Sequence, residues 1–198
     1  MVPSYIRFLK AQPVNKWDQK RKIIRRYDLT AQLYDVRYAE EQELKYKTAL
    51  ESLNVARNSK VLDVGCGTGL LFSHVAAEAQ TVVGVDISGK LLLQAKERAR
   101  NFQHIHLVQA DSDHLPFKDN HFSMVFAFTV LQNLPDPLET LKEVKRIAES
   151  DAPIVVTGLK KAFSLEAFRG LLQSAGLRVV SLNDDDALKC HVAVSVRS

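Results

Sequence analysis

The residues best suited to chemistry are three alternating glycines that follow a short apolar segment containing an acid. Residues 61–64, with Asp63 among them, run directly into Gly65, Gly67 and Gly69. This order predicts a buried parallel strand, a tight turn and the N-terminus of a helix. Glycine tolerates a positive φ, and because it has no Cβ it lets a ligand approach the backbone closely. The segment therefore predicts a pocket for a nucleotide-like ligand.

The acid before the glycines indicates which ligand fits. A dinucleotide site has the spacing G-x-G-x-x-G and leaves its helix N-terminus to a pyrophosphate. Here the spacing is G-x-G-x-G, and Asp63 stands two positions before Gly65. A carboxylate would repel a pyrophosphate, but it suits S-adenosylmethionine, which carries a sulfonium and an ammonium group and no phosphate. From these residues on, the sequence resembles the class I S-adenosylmethionine-dependent methyltransferases, whose first motif is D-x-G-x-G-x-G.

Later segments supply the other parts of such a site. Asp86 ends a second apolar segment, where an acid can accept both ribose hydroxyls. The resemblance implies that Asp111 holds the adenine amino group and that the backbone of Ser112 reaches the ring. Residues 122–134 resemble the fourth motif, where the strand end at Phe128 faces the methyl group. Matched to the family, the cofactor-binding residues are Asp63, Gly65, Cys66, Gly67, Gly69, Asp86, Ile87, Asp111, Ser112 and Phe128.

Several of these residues also have a purely structural interpretation. Asp63 and Asp86 could each cap a helix. Asp111 lies in an Asp-x-Asp stretch and could be a solvated loop acid. Cys66 could be a small packing residue in the turn, and Cys190 a strand residue facing the core. The histidines lack metal-ligand spacing, so the sequence predicts no metal site.

Length and composition predict an ordinary α/β protein. The chain has 198 residues, of which 46% are hydrophobic and 25% charged, and no apolar run approaches the roughly 20 residues that span a bilayer. Its two cysteines favour a reducing cytoplasm over a disulfide framework. We therefore predict a cytoplasmic protein with no membrane partner.

From residue 60 onward, strands alternate with helices, which predicts a Rossmann-like, doubly wound sheet in a three-layer α/β/α arrangement. The resemblance implies seven strands, mainly parallel, with an antiparallel last strand. Strands are predicted near 60–64, 81–86, 105–109, 122–128, 153–158, 177–182 and 188–196, and helices near 69–79, 88–101, 137–148 and 164–175.

The N-terminal part differs from the rest in charge. Through Lys60 the chain holds 13 Lys and Arg against 7 Asp and Glu, so this part accounts for the whole net charge of +4. We interpret residues 1–58 as a basic helical cap and 59–198 as the cofactor-binding domain of one structural unit. The excess is densest from Arg7 to Arg26, where aromatic residues are interleaved. Such an arm fits RNA phosphates and stacked bases, and a solvated amphipathic face is the alternative. The cations predicted to bind substrate are Arg21, Lys22, Arg25 and Arg26.

The segment from Tyr27 to Asp35 has the form Y-D-x-x-A-x-x-Y-D. It is similar to the N-terminal helix of ubiquinone/menaquinone-type methyltransferases and of tRNA wobble-uridine methyltransferases. The resemblance implies a helix that lies over the cofactor and closes the substrate pocket. Tyr27 and Tyr34 are seven residues apart and share one face of a helix, which predicts substrate contact, with core packing as the alternative. Tyr34 and Gln132 are the candidates for orienting the acceptor, and no general base is assigned.

Three hypotheses about function follow. The first is a methyltransferase that acts on tRNA or rRNA through the basic arm and releases S-adenosylhomocysteine. The second is a small-molecule methyltransferase of the quinone-biosynthesis type, favoured by the tyrosine segment. The third is a subunit that requires a small zinc-binding activator protein, bound along a sheet edge. The apolar residues 125–134 could form such an edge or a buried central strand.

Overall fold

The computed structural model describes residues 15–51 and 53–197. Its helices are α1 (Lys16–Thr30), α2 (Tyr34–Leu50), α3 (Phe72–Val75), α4 (Gly89–Ala99), α5 (Pro137–Ile147) and α6 (Leu165–Ser174). Its strands are β1 (Lys60–Val64), β2 (Thr81–Asp86), β3 (Ile105–Gln109), β4 (Met124–Ala127), β5 (Ile154–Leu159), β6 (Leu177–Asn183) and β7 (Cys190–Arg197). The start of the predicted basic arm, with Arg7 and Lys10, lies outside the described residues.

The strands form one sheet in the order β3-β2-β1-β4-β5-β7-β6. Strands β1 to β5 pair in parallel, and β7 runs antiparallel to both β5 and β6. Strand β4 pairs with β1 on one side and β5 on the other, so residues 125–134 begin in a central strand rather than at an edge. The predicted seven-stranded sheet with an antiparallel last strand is confirmed.

Apolar residues on both faces of the central strands build the three layers. In β1, Val61 packs into the core on one face and Leu62 into the core on the other, because successive side chains of a strand alternate. The first core includes residues of α2, α3 and α4, such as Tyr46 and Phe72. The second includes residues of α5 and α6, such as Phe168. Strands that are buried on both faces have continuous apolar runs in their sequence, and the central strands of this sheet have that pattern.

The helix predicted over 69–79 is much shorter than expected. Helix α3 spans only Phe72–Val75. Gly65, Gly67 and Gly69 have φ values of 70°, 57° and 78°. These values lie in the left-handed region, so an α-helix cannot start at residue 69. Strand β4 likewise starts two residues later than predicted, at Met124.

The N-terminal helices form what we call the cap, residues 16–50. Its two helices are not continuous, because Ala31–Leu33 is a turn of 3₁₀ helix between α1 and α2. The rings of Tyr27 and Tyr34 nevertheless lie 6.1 Å apart, centroid to centroid. Helix α1 packs against α4, and α2 packs against β7. The two tyrosines therefore lie on different helices, and the turn between the helices keeps their rings in contact.

Candidate functional site

The glycine loop after β1 is fastened to the end of β2. The amides of Gly65 and Cys66 donate to the carbonyl oxygen of Val85 at 2.7 and 2.9 Å. The amide of Gly67 donates to Asp86 Oδ2 at 2.9 Å, and that of Ser88 donates to Asp86 Oδ1 at 2.8 Å. Asp86 therefore sets the shape of the loop as well as ending the strand.

The three glycines are required for different reasons. A Cβ on Gly65 would collide with Val130, and one on Gly69 would collide with the ring of Phe72. A Cβ on Gly67 would instead collide with nothing and would make only ordinary van der Waals contact with the Tyr34 ring, at 3.8 Å. Gly65 and Gly69 thus permit close packing, whereas Gly67 leaves room for a ligand.

We expect Gly67→Ala to fold and to bind cofactor poorly. The left-handed conformation costs a side-chain-bearing residue roughly 1–2 kcal/mol, a modest loss of stability. The new methyl group would occupy the ligand's space, so the Kd for S-adenosylmethionine should rise at least about tenfold. Gly170→Ala is the matched control, because a Cβ there meets nothing within 4 Å. Calorimetric titration that finds equal affinity in both variants would remove Gly67 from the site.

A cavity of about 710 Å³, counted to its open mouth, lies where the loop, the strand ends and the cap meet. It lies outside the carboxyl ends of parallel strands at the point where the strand order reverses, the usual ligand position in such sheets. The predicted site residues that line it are Tyr27, Tyr34, Gly65, Gly67, Asp86, Ile87, Asp111, Ser112 and Phe128.

Three predicted cofactor residues do not line the cavity. Asp63 is buried beneath the loop. Cys66 is also buried, and its sulfur lies where a Cβ on Gly84 would have to fit, which agrees with a packing role. Gly69 faces Phe72, as described above. Asp63 thus lies beneath the loop, and Cys66 and Gly69 pack on the buried side of the loop rather than lining the cavity.

Five predicted substrate or catalytic residues also lie away from the cavity. Gln132 donates from Nε2 to the Thr129 carbonyl oxygen at 2.6 Å, while the neighbouring Asn133 lines the cavity in its place. The predicted cations are exposed on α1 and are absent from the cavity lining; they are Arg21, Lys22, Arg25 and Arg26. None of these five side chains lines the cavity, so their contact with an acceptor stays a prediction.

Asp63 and Asp86 have raised pKa values, which a cation bound in the cavity would lower. Burial, together with the charge of Asp86, raises the pKa of Asp63 to about 8. Burial also raises the pKa of Asp86, although the amides of Ser88 and Gly67 oppose the rise. A positive charge in the cavity would stabilise both carboxylates, so this arrangement fits a cationic ligand.

Thr129, which the sequence did not single out, lines the cavity at the end of β4. Its φ of 60° is unfavourable for a branched residue, and such strain clusters at functional sites. Its amide donates to Thr157 Oγ1 at 2.7 Å, and its hydroxyl contacts Gln42 and the buried Lys45, each at 3.1 Å. The strained backbone is thus held in place by the cap and by β5.

The cap is anchored to the loops that surround the cavity. Asp28 accepts from Ser88 Oγ at 2.6 Å, at the start of α4. Asp35 accepts from Thr68 Oγ1 at 2.6 Å in the glycine loop and from Arg98 at 2.7 Å. In each Tyr-Asp pair of the motif, the tyrosine therefore lines the cavity and the aspartate holds the cap to the structure around it.

The described residues contain neither a metal-binding cluster nor a membrane-spanning helix. Among residues 15–51 and 53–197, no cluster of three His, Cys, Asp or Glu side chains could hold a metal ion. Within the same residues, no helix is long and apolar enough to cross a membrane.

The sheet order, the glycine loop and a cavity at the strand ends lined by Asp86 and Asp111 are the features of a Rossmann-like protein with a nucleotide-type site. Solved structures share this fold. A SAM-dependent methyltransferase from Aquifex aeolicus has a TM-score of 0.70 at 18% identity, over 81% of this chain and 98% of that one. A putative methyltransferase of Haloferax volcanii, solved with the Trm112 methyltransferase activator, has a TM-score of 0.72 at 18% identity, over 86% and 96%.

Sequence relatives narrow the class. Residues 62–156 match the family described as a methyltransferase domain. The demethylmenaquinone methyltransferase of Staphylococcus saprophyticus is 34% identical over 149 residues, which cover 74% of this chain and 63% of that protein. The chain thus spans less than two thirds of that relative's length. Residues 62–156 are thus a methyltransferase domain, and the chain is similar in sequence and fold to the class I S-adenosylmethionine-dependent methyltransferases, whose cofactor, S-adenosylmethionine, suits the chemistry of the cavity.

Proposed function

We propose that the protein methylates a small, largely apolar aromatic acceptor, of the type found in quinone biosynthesis. The observation that carries this proposal is the cap's position over the cavity. Ile23, Tyr27 and Tyr34 of the cap form one wall, and Val130 and Leu134 after β4 contribute further apolar surface. A cavity covered on one side by the cap favours an acceptor small enough to enter it.

The polar residues in the cavity suit orientation of an acceptor rather than removal of its proton. When bound, the cofactor would supply a methyl group on a sulfonium: the acceptor's nucleophilic atom would bond to the methyl carbon as the carbon–sulfur bond breaks, S-adenosylhomocysteine would leave, and the acceptor's proton would pass to solvent. Burial raises the pKa of Tyr34 well above its ordinary value, so its phenol stays protonated and can donate a hydrogen bond. Thr129 and Asn133 provide further polar contacts at the strand end. Holding two reactants in line can supply roughly 7–11 kcal/mol of the barrier reduction, so the residues here suffice without a dedicated base.

The relatives support the same class of acceptor. The Staphylococcus saprophyticus protein is by name a demethylmenaquinone methyltransferase, and several similarly named proteins match more than half of this chain. Because those proteins are longer than the matched region, the acceptor remains our proposal for this chain.

RNA is the second candidate, favoured by one observation. Arg21, Lys22, Arg25 and Arg26 form an exposed basic face on α1 that could contact phosphates. That face, however, points away from the cavity, because the residues of α1 that line the cavity lie on the opposite side of the helix. A base bound to the basic face would have to pass the cap to reach the methyl group, so we rank RNA second.

A zinc-binding activator subunit stays a proposal of lower rank. The Haloferax volcanii neighbour was solved with a methyltransferase activator. In this chain the sheet edges among the described residues are β3 and β6, and a partner of this kind would lie against one of them.

Transfer of a labelled methyl group into fractionated cell extract tests these candidates. We expect label in the lipid and small-molecule fraction, and we expect the variant Arg21→Glu/Lys22→Glu/Arg25→Glu/Arg26→Glu to retain most of that activity, since these side chains lie outside the cavity. Label that enters RNA and is lost in the charge-reversed variant would instead establish the second candidate. Activity that appears only after co-expression with an activator would establish the third.

A further inference from the structure

Lys20 joins the cap to the cavity by a buried ion cluster. Its Nζ lies 2.7 and 2.6 Å from the two carboxylate oxygens of Asp111 and 2.5 Å from Asp113 Oδ2. Lys20 is 7% exposed, and both acids are largely buried. We call these three residues the latch. Lys20 comes from α1, whereas both acids follow β3, so the latch crosses from the cap to the loop at one end of the cavity.

The latch is held tightly on its acidic side. The amide of Asp113 donates to Asp111 Oδ1 at 3.1 Å, and Thr140 Oγ1 donates to Asp113 Oδ1. Burial alone would lower the pKa of Lys20, but the hydrogen bonds to Asp111 and Asp113 outweigh it and raise the pKa, so the ammonium stays charged. Removing the cation would leave two buried carboxylates facing each other, which is strongly unfavourable.

The latch also forms part of the cavity wall. Lys20 and Asp111 both line the cavity, next to Ser112 and beside Ile23 of the same helix. The family resemblance matches Asp111 to the residue that holds the adenine amino group. A nucleoside held at Asp111 therefore lies under α1, and α1 is fixed there by the contact that Lys20 makes with the same carboxylate.

We propose that Lys20 is a positioning residue of the cofactor site, which orients Asp111 and latches α1 over the adenine end, so that opening of the latch limits cofactor exchange. Helices that close over a ligand commonly set the rate of its release. The proposal concerns the cofactor alone and does not depend on which acceptor is methylated. Its failure and the failure of the proposed function are therefore distinguishable.

The fluorescence of a tryptophan on α1 can be used to follow cofactor binding in the test. Its single tryptophan, Trp17, is half-exposed on α1, and the Lys20 ammonium lies 5.6 Å from the centre of its ring. Stopped-flow fluorescence of Trp17 on mixing with S-adenosylhomocysteine yields association and dissociation rates without any acceptor. Rate constants do not depend on the size of the fluorescence change, so variants can be compared.

We expect Lys20→Met to accelerate dissociation of S-adenosylhomocysteine at least about tenfold, because a buried ion contact no longer holds α1 closed. The matched control is Lys16→Met on the same helix. It removes the same charge but breaks only the exposed pair between Lys16 and Asp136, so its rates should stay within about twofold of the wild type. Unchanged rates in folded Lys20→Met, or equal acceleration in both variants, would overturn the proposal.

A second variant covers the outcome in which Lys20→Met does not fold. Lys20→Met/Asp113→Asn removes one cation and one carboxylate together, so no additional unpaired charge is buried. The same acceleration is expected in this double variant, with folding checked by circular dichroism. A folded double variant that exchanges S-adenosylhomocysteine at the wild-type rate would refute the latch.

Discussion

Asp86→Ala is expected to abolish measurable binding of S-adenosylmethionine. The carboxylate has two roles in the structure. It accepts hydrogen bonds from the amides of Gly67 and Ser88, which shapes the glycine loop, and it lines the cavity at the position that the family resemblance assigns to the ribose hydroxyls. Each hydrogen bond to a charged group contributes roughly 1.5–3 kcal/mol. Losing two or more of them should raise the Kd at least about 100-fold, since 1.4 kcal/mol corresponds to a factor of ten.

Isothermal titration of the purified variant measures this effect. Asp186→Ala is the matched control, because that acid is fully exposed and lies outside the cavity lining. It should bind as the wild type does. An Asp86→Ala variant that is folded and keeps wild-type affinity would show that the cofactor lies elsewhere.

Asp63→Asn is expected to change how cofactor binding responds to pH. In the unliganded protein, burial and the neighbouring Asp86 raise the pKa of Asp63 to about 8, so this acid carries a proton at pH 7. A cationic ligand in the cavity favours the carboxylate, and its binding should release that proton. Wild-type affinity should therefore rise from pH 6 towards pH 8, by up to about tenfold per pH unit. The variant should lose that rise.

The same substitution has a predictable effect on stability. A carboxyl whose folded-state pKa is raised destabilises the fold as pH rises from its unfolded value, near 4, towards 8. The neutral amide in the variant would carry no such cost, so unliganded Asp63→Asn should melt higher than the wild type at pH 8, by at least about 5 °C. Titration in buffers of different ionisation enthalpy should show about one fewer proton released per cofactor bound at pH 7. Equal proton release by both proteins would contradict this account of Asp63.

Local patterns sufficed for most of the fold. Apolar runs such as 81–86 predict strands because parallel strands are buried on both faces, and β2 spans those residues. The helix after the glycines was overestimated because its apolar spacing says nothing about φ at Gly69. The break in the helix at residues 31–33 could not be predicted, because the sequence there contains no proline or glycine. It lies between Asp28 and Asp35, which hold the cap to different parts of the chain.

The cavity was harder to predict than the fold. The side of the cavity assigned to the cofactor was predicted through Gly67, Asp86 and Asp111, because these residues lie at or after strand ends in a recognisable order along the chain. Lys20 was missed as a cavity residue, although it lies seven positions before Tyr27 and so repeats the spacing of Tyr27 and Tyr34. Thr129 gave no signal at all, since its strained backbone depends on contacts with residues more than 25 positions away in sequence.

The anchoring of the cap has a consequence for how proteins of this architecture diversify. Most of these cap side chains fall into two groups: the first, Asp28, Asp35 and Lys45, fastens the cap, and the second, Ile23, Tyr27 and Tyr34, faces the cavity; Lys20 does both. The second group can vary in shape and polarity while the first keeps the wall in position over an unchanged donor. A lineage with this architecture can thus acquire a new acceptor by substituting a few residues in one short segment, leaving the sheet and its glycine loop untouched.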